Sequence, residues 1–399
     1  MKLYLAKNES AKAPAVVLDD MILTNDLPTT GGSMMLDNYM SLLGADIIGK
    51  LTSAGYSVAG KANVGEFGID LVGETSYYGA VTDANGNLTS ASAELVKSGD
   101  VIAAIGLDVN GAERRAAAMS GLVYVKPTYG TVSRYGTIPA ACSGETVGVT
   151  AKTVDDCKAV LASIVGHDDK DGTSLPEEKC ALVKDGAVSF GKVAIIKSLT
   201  KDIDSTTAAK LDAVKAALAD AGITVEEIDC DALAYAKTAW GILMCAELCN
   251  NVSRYDGVKY GHRTENYKTI GELYTNSRTE AFGELVKTAI LYGSETLSDD
   301  NYMPVYDKSL RVRRVICETF SKFHSEYDAI IIPACSKSAY TEADTSANKY
   351  IAFDEALYTA PASITGLPTV VVGGVQLIGK AFSENTLFEA AKIIAKEGK

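Results

Sequence analysis

Apolar residues along the chain fall into short continuous runs separated by stretches with helical spacing. Ala15-Val16-Val17-Leu18, Val101-Ile102-Ala103-Ala104-Ile105, Leu122-Val123-Tyr124-Val125, Val193-Ala194-Ile195-Ile196, Ala329-Ile330-Ile331-Ile332-Pro333 and Val370-Val371-Val372 read as buried strands. Runs this short and unbroken suit strands covered on both faces. Leu42, Leu43, Ile47, Ile48 and Leu51 predict a helix that Gly55 ends before a strand at 56–59. Thr153 is placed to cap a helix carrying Val154, Cys157, Leu161 and Ile164, with Asp155 and Asp156 in its first turn, where carboxylates favour the helix dipole. A short Ala-rich helix is expected at 114–119. Ala208, Leu211, Val214 and Leu218 stripe another, closed by Gly222 ahead of a strand at 223–225. Helical patterns dominate from about 232 to 326, and a last helix starts at Glu384. Alternating strands and helices predict an α/β fold around a mixed sheet. With no repeat and no low-complexity linker, the expected organisation is one domain over 1–399 with a helix-rich insertion at about 232–326.

Composition narrows the function classes. The chain has 399 residues, 47% of them hydrophobic, and no apolar run approaches a membrane span of roughly 20 residues. The first nine residues hold no long apolar core, so a cytoplasmic location is expected. A net charge of -13 argues against gripping nucleic acid, which needs clustered Lys and Arg. The one basic cluster, Arg311, Arg313 and Arg314, is expected on a solvated helix face. The eight cysteines form no CxxC pair and no metal-like grouping with the three histidines, so a reduced protein without metal or cofactor is expected. Cys245 and Cys249, four apart on a helix, read as two small buried residues.

Three segments carry a family resemblance. Gly60-Lys61-Ala62-Asn63-Val64-Gly65-Glu66-Phe67 is similar to GK-x-N-x-x-EF, and Val125-Lys126-Pro127-Thr128-Tyr129-Gly130-Thr131-Val132-Ser133-Arg134-Tyr135-Gly136 to LKPTYGxVSRYG. Ala246-Glu247, Asn251 and Arg254-Tyr255-Asp256-Gly257-Val258-Lys259-Tyr260-Gly261 follow AE-x-x-x-N-x-x-RYDGxxYG. On these segments the chain resembles the amidase signature family, and within it the glutamine-hydrolysing A subunits of the tRNA-dependent amidotransferases. The likeness runs from about Pro14 to Phe388. It implies a central mixed sheet of about eleven strands covered by helices. Members of the family carry a further helical segment ahead of the Pro14 equivalent, and its shortening here implies an exposed apolar patch and a tendency to oligomerise.

The resemblance also implies a Ser–Ser–Lys apparatus, in which a buried neutral lysine takes a proton through a bridging serine while a second serine attacks the amide. Each of these positions is replaced. In Pro14-Ala15-Val16-Val17-Leu18-Asp19 the lysine is Leu18. In Gly106-Leu107-Asp108-Val109-Asn110-Gly111-Ala112-Glu113-Arg114, aligned with G-S-D-T-G-G-S-I-R, the nucleophile is Ala112. Leu88 falls at the bridging serine, with Ser90 or Ser92 as substitutes should the register slip. The basic pair that would hold a substrate carboxylate is replaced by Thr288-Ala289, and the aspartate that would hold the amino group by Ala356, with Asp354 and Glu355 nearby. Asp108, Arg114, Lys126, Tyr129, Arg254 and Asp256 remain, and structural roles are expected for them.

Two residues suggest other chemistry. Cys142, followed by Ser143, stands near the mouth of the former site, but His167, His262 and His324 are all distant in sequence. Glu113 puts a carboxylate where the family has an apolar residue; a solvent-facing side chain is expected. The degenerate positions Leu18, Leu88 and Ala112 are expected to share an apolar depression, flanked by a former pocket of Asp108, Asn110, Gly111, Glu113, Arg114, Cys142, Ser143, Thr288 and Ala356. The preferred reading is a catalytically inactive relative of those A subunits that binds or assembles with a protein partner or a second copy. A relocated amide hydrolase and a small-molecule binder using the old pocket are the alternatives.

Overall fold

The computed structural model describes residues 2–397. Its strands are β1 (Tyr4–Lys7), β2 (Ala15–Asp19), β3 (Ser57–Ala62), β4 (Val81–Thr82), β5 (Leu88–Thr89), β6 (Ala103–Asp108), β7 (Val123–Lys126), β8 (Thr146–Ala151), β9 (Lys192–Ile196), β10 (Thr224–Ile228), β11 (Ala329–Pro333), β12 (Thr369–Val372) and β13 (Val375–Gly379). Eleven of them form one mixed sheet in the order β1-β3-β2-β6-β8-β7-β12-β13-β11-β9-β10, and β4 pairs only with β5. The α/β architecture and the strand number both match what the sequence implied. Parallel pairs lie at β3-β2-β6 and β11-β9-β10, and the strands between them pair antiparallel.

The helices are α1 (Asp46–Ser53), α2 (Ala91–Ser98), α3 (Ala112–Ser120), α4 (Val154–Ile164), α5 (Glu177–Asp185), α6 (Ser205–Asp220), α7 (Ala236–Val252), α8 (Ile270–Ala281), α9 (Glu284–Thr296), α10 (Asp299–Asn301), α11 (Lys308–Phe323), α12 (Glu342–Ala347), α13 (Ile351–Thr365) and α14 (Glu384–Glu397). The Thr153 side chain accepts from the Asp156 amide, as its sequence position suggested. Between β10 and β11 the chain is mainly helical, interrupted by a loop between α7 and α8, and α7 packs on α9, α11 and α13.

Several expected boundaries move. The helix foreseen from Leu42 begins only at Asp46; Leu42 is almost fully exposed, because the segment before Ala45 is a loop that leaves both leucines outside the core. The strand foreseen at 101–105 is shifted to β6, whose Gly106 and Asp108 break the apolar pattern. Strand β8 had no signal, since Thr146 and Gly148 interrupt its valines, and Gln376 masks β13 in the same way.

One buried ion pair ties these layers together. Arg114 and Asp108 are both fully buried, with Nε donating to Oδ2 at 2.7 Å and Nη2 to Oδ1 at 3.1 Å. The remaining donors of Arg114 reach the Thr359 carbonyl at 2.7 Å, Gln376 Oε1 at 3.3 Å and Ser363 Oγ at 2.7 Å. One guanidinium thus joins β6, α3, α13 and β13. Burial alone would raise the Asp108 carboxyl, but Arg114, with Lys126 and Arg115 behind it, brings it below the ordinary carboxylate value. Replacing Arg114→Leu strands a buried carboxylate, and should lower unfolding free energy by about 3–5 kcal/mol in urea denaturation. A loss under about 1 kcal/mol would show that this pair does not hold the layers.

Candidate functional site

The turn from β6 into α3 keeps a rigid shape. Gly111 has φ of 87°, and a side chain there would run into Thr359, so only glycine fits. Asn110 is fully buried, with Nδ2 donating to the Ile69 and Ala352 carbonyls at 2.9 and 3.3 Å. Its Oδ1 accepts from Trp240 Nε1 at 3.2 Å, and its carbonyl accepts from Thr359 Oγ1 at 3.1 Å. Ala112 follows as the first residue of α3, half-buried, presenting only a methyl group.

Leu18 and Leu88 are both buried. Leu18 pairs in register with Lys61 on β3 and Ile105 on β6. Lys61 is the lysine nearest to this position in the sheet, and it is already fully engaged. Its ammonium donates to the Ile22 carbonyl and to Thr29 Oγ1 at 2.9 Å, and lies 3.6 Å from Asp20. Leu88 donates its backbone N–H to the Tyr340 carbonyl at 2.7 Å. Ser90 caps α2 by accepting from the Ala93 amide at 3.0 Å, so its hydroxyl serves the helix. Ser92 is buried in the first turn of that helix.

Glu113 departs from expectation: it is buried, not solvated. Gly106 on β6 has no side chain, and the space where one would begin lies 2.9 Å from Asp19 Oδ2 and 3.3 Å from Glu113 Oε1. Strand alternation turns Leu18 to one face of the sheet and Asp19 to the other, where α3 lays Glu113 beside it. Asp19 accepts from the Leu107 and Met21 amides at 2.6 and 3.0 Å. Burial first, then the negative charges of Asp19, Asp108 and Asp70, push the Glu113 carboxyl up to about 8. Burial likewise raises Asp19 to about 6. At neutral pH Glu113 therefore holds its proton.

Three expected former-pocket residues do converge. Asn110, Thr288 and Ala356 line one cavity of about 300 Å³, completed by Met244, Cys245 and Phe353. Lys237 and Asp354 also line it and form an ion pair at 3.0 Å. Of the two acids near Ala356, Asp354 is the one in the cavity. Glu355 instead accepts from the Ser336 amide and hydroxyl at 2.7 and 2.6 Å. Leu18, Leu88 and Ala112 are not among the lining residues. The role of Lys237 was not legible in sequence, since its partner lies 117 residues away.

The family model described as Amidase matches residues 15–388. The chain belongs to the amidase family. Among curated relatives, it is 33% identical over 393 residues to the A subunit of Glutamyl-tRNA(Gln) amidotransferase from Latilactobacillus sakei, covering 94% of this chain and 80% of that protein. It is also 33% identical over 407 residues to the one from Maridesulfovibrio salexigens, covering 96% and 83%. The crystal structure of the corresponding Glutamyl-tRNA(Gln) amidotransferase protein from Thermotoga maritima superposes with a TM-score of 0.81 at 28% identity, over 99% of this chain and 87% of that one.

The remaining candidates of this amidase-family chain are held by structural bonds. Tyr129 donates its hydroxyl to the Cys142 carbonyl at 2.6 Å, and the Cys142 sulfur accepts from Asn251 Nδ2 at 3.5 Å. Burial and Glu145 raise the Cys142 thiol above its ordinary value, against Arg134 and Asn251, so the thiolate is disfavoured. Ser143 is bound to Glu247 through both its amide and its hydroxyl, and its carbonyl accepts from Arg313 at 3.0 Å. Arg313 therefore leaves the solvated cluster expected for it, whereas Arg311 and Arg314 make exposed pairs with Asp307 and Glu318. The histidines pair elsewhere: His167 with Leu175 and Asp169, His262 with Glu280, His324 with Tyr327. Cys249 is only partly buried, while Cys245 is in the core.

The Glu113 proton has a measurable consequence. Because its folded pKa lies above the unfolded value, its contribution is fully present below about 4.5 and is lost as pH rises through about 8. Glu113→Gln mimics the protonated acid at every pH. Its stability relative to the parent should therefore climb between pH 5 and pH 9, by on the order of 3 kcal/mol. Paired melts across this range check it, and comparison with the parent cancels the opposite contribution of Lys126, whose pKa burial lowers to about 7. A difference independent of pH would place Glu113 in water.

Proposed function

We propose that this amidase-family chain has lost amide hydrolysis and acts as a binding or assembly protein related to the A subunits of the amidotransferases. One observation carries the reading. The loop that would present a nucleophile is fastened at Asn110, Gly111 and Arg114, yet it ends in the methyl group of Ala112. The strand position for the base holds Leu18. Neither an alkyl chain nor a methyl group can accept a proton or attack a carbonyl. Lys61 does not replace the base, since Asp20, Thr29 and the Ile22 carbonyl already hold its ammonium.

A relocated Cys142 site is disfavoured by its raised thiol pKa, and none of the described histidine contacts reaches it. A cytoplasmic location and a protein partner or second copy fit the relatives' naming as one component of an amidotransferase. No helix among the described residues is long and apolar enough to cross a membrane. The cavity beside Asn110 favours a second reading, small-molecule binding at the old pocket.

Purified protein incubated with glutamine or asparagine should release no ammonia above a buffer blank. Ala112→Ser should be equally inert, because nucleophile and base act as a unit and restoring one without the other recovers nothing. Turnover by the parent that survives Cys142→Ala would refute the inactive reading outright. Turnover gained by Ala112→Ser alone would reveal a base other than the residue at position 18.

A further inference from the structure

The cavity between α7, α9 and α13 contains an unexplained glycine. Gly241 stands in the middle of α7, where glycine is unfavourable relative to alanine because it loses more backbone freedom on folding. Its backbone is ordinary helix, and a Cβ added there would meet nothing within 4 Å. Gly293 in α9 is the instructive contrast. There a Cβ would collide with the Cys245 carbonyl, so close helix packing requires glycine. At Gly241 neither conformation nor packing explains the residue. The missing side chain leaves the cavity open, since Gly241 is itself a lining residue.

The walls define what fits. Met244 and Phe353 offer apolar surface, and burial pushes the Cys245 thiol up to about 12, which keeps it uncharged. Thr288 turns its hydroxyl proton to the Glu284 carbonyl at 3.0 Å, and both amide protons of Asn110 are used. Lys237 and Asp354 are the two charged side chains in the lining, and they neutralise each other. Tyr292 and Tyr350, both half-exposed, mark the opening. At about 300 Å³ the space is at the small end of ligand sites, which run from about 300 to 1,000 Å³.

We propose that this cavity is a binding site for a small, uncharged, largely apolar ring compound, held open by Gly241. This rests on the small-molecule reading above and gives it a ligand class. A zwitterionic amino acid lacks free counter-charges here, because each charged group of the lining already has its partner.

Indole is a suitable probe, with L-tryptophan supplying the same ring bearing charges and L-glutamine the charges without the ring. Calorimetric titration should show saturable binding of indole at one site, at least tenfold weaker binding of L-tryptophan, and none of L-glutamine. Gly241→Leu should fill the space, melt at or above the parent temperature and lose indole binding at least tenfold. Ala356→Leu, entering from α13, supplies a second block should the first variant misfold. Equal or tighter binding of L-tryptophan would overturn the uncharged class, and undiminished indole binding by a folded Gly241→Leu would overturn the site. Absence of indole binding would remove the ligand assignment while leaving the inactive reading intact. Ammonia release from glutamine would do the reverse.

Discussion

The buried Asp108–Arg114 pair is the constraint around which the turn from β6 into α3 is built. A guanidinium taken fully out of water is tolerated only when all its donors find acceptors, and here carboxylate, carbonyl, hydroxyl and amide oxygens from β6, α13 and β13 surround it. That arrangement fixes the start of α3 relative to β6 and brings α13 onto the same point. Asn110 and Gly111 lie within the span the pair closes, so the turn keeps its shape whatever side chain stands at position 112. Architecture and chemistry are separable here: the shape of the turn depends on Arg114, and any chemistry on the side chains it presents.

Much of this was legible in sequence, for identifiable reasons. Continuous apolar runs marked β2, β7, β9, β11 and β12, because strands covered on both faces need nothing else. The Thr153 cap was legible because its chemistry is local, the hydroxyl and its amide partner being three residues apart. Hidden features depended on distant partners or on the absence of a side chain. Glu113 read as a surface acid, since nothing near it in sequence reveals that Gly106, seven residues earlier on a different element, leaves room for it beside Asp19. Lys237 and Asp354 meet only through the packing of α7 on α13. Strands β8 and β13 were masked by single polar or glycine positions that tertiary contacts satisfy, as Gln376 does by donating to the Pro333 and Tyr358 carbonyls at 2.8 and 2.9 Å.

The polar content of the centre has been redistributed, not simply erased. Leu18 presents no charge, whereas Glu113 introduces an acid on the opposite face of the sheet. Its cost is limited because the acid keeps its proton at neutral pH: a neutral carboxyl is far cheaper to bury than a carboxylate. Asp19 can remain nearby for the same reason, since two ionised carboxylates so close would repel. Lys61, Asp20 and Thr29 form a separate buried set on the other side, and none of its members reaches the turn at Ala112.

The exchanges also bear on why the fold tolerates its altered site. A lysine that works as a base must be buried and uncharged, so its desolvation opposes folding in any protein that uses one. Leucine at position 18 carries no such cost and pairs with Ile105 in the centre of the sheet. Ala112 places a methyl group at the first position of α3, where a hydroxyl could otherwise serve the free amides of the helix start. On the inactive reading proposed above, such changes exchange catalytic groups for residues that oppose folding less. Gly241 runs the other way. It weakens α7 and leaves space unfilled, and neither effect benefits a protein shaped by stability alone. On the two proposals above, a centre without catalytic groups beside a cavity kept open at a loss of helix stability is what a shift from a reaction to a bound ligand would leave.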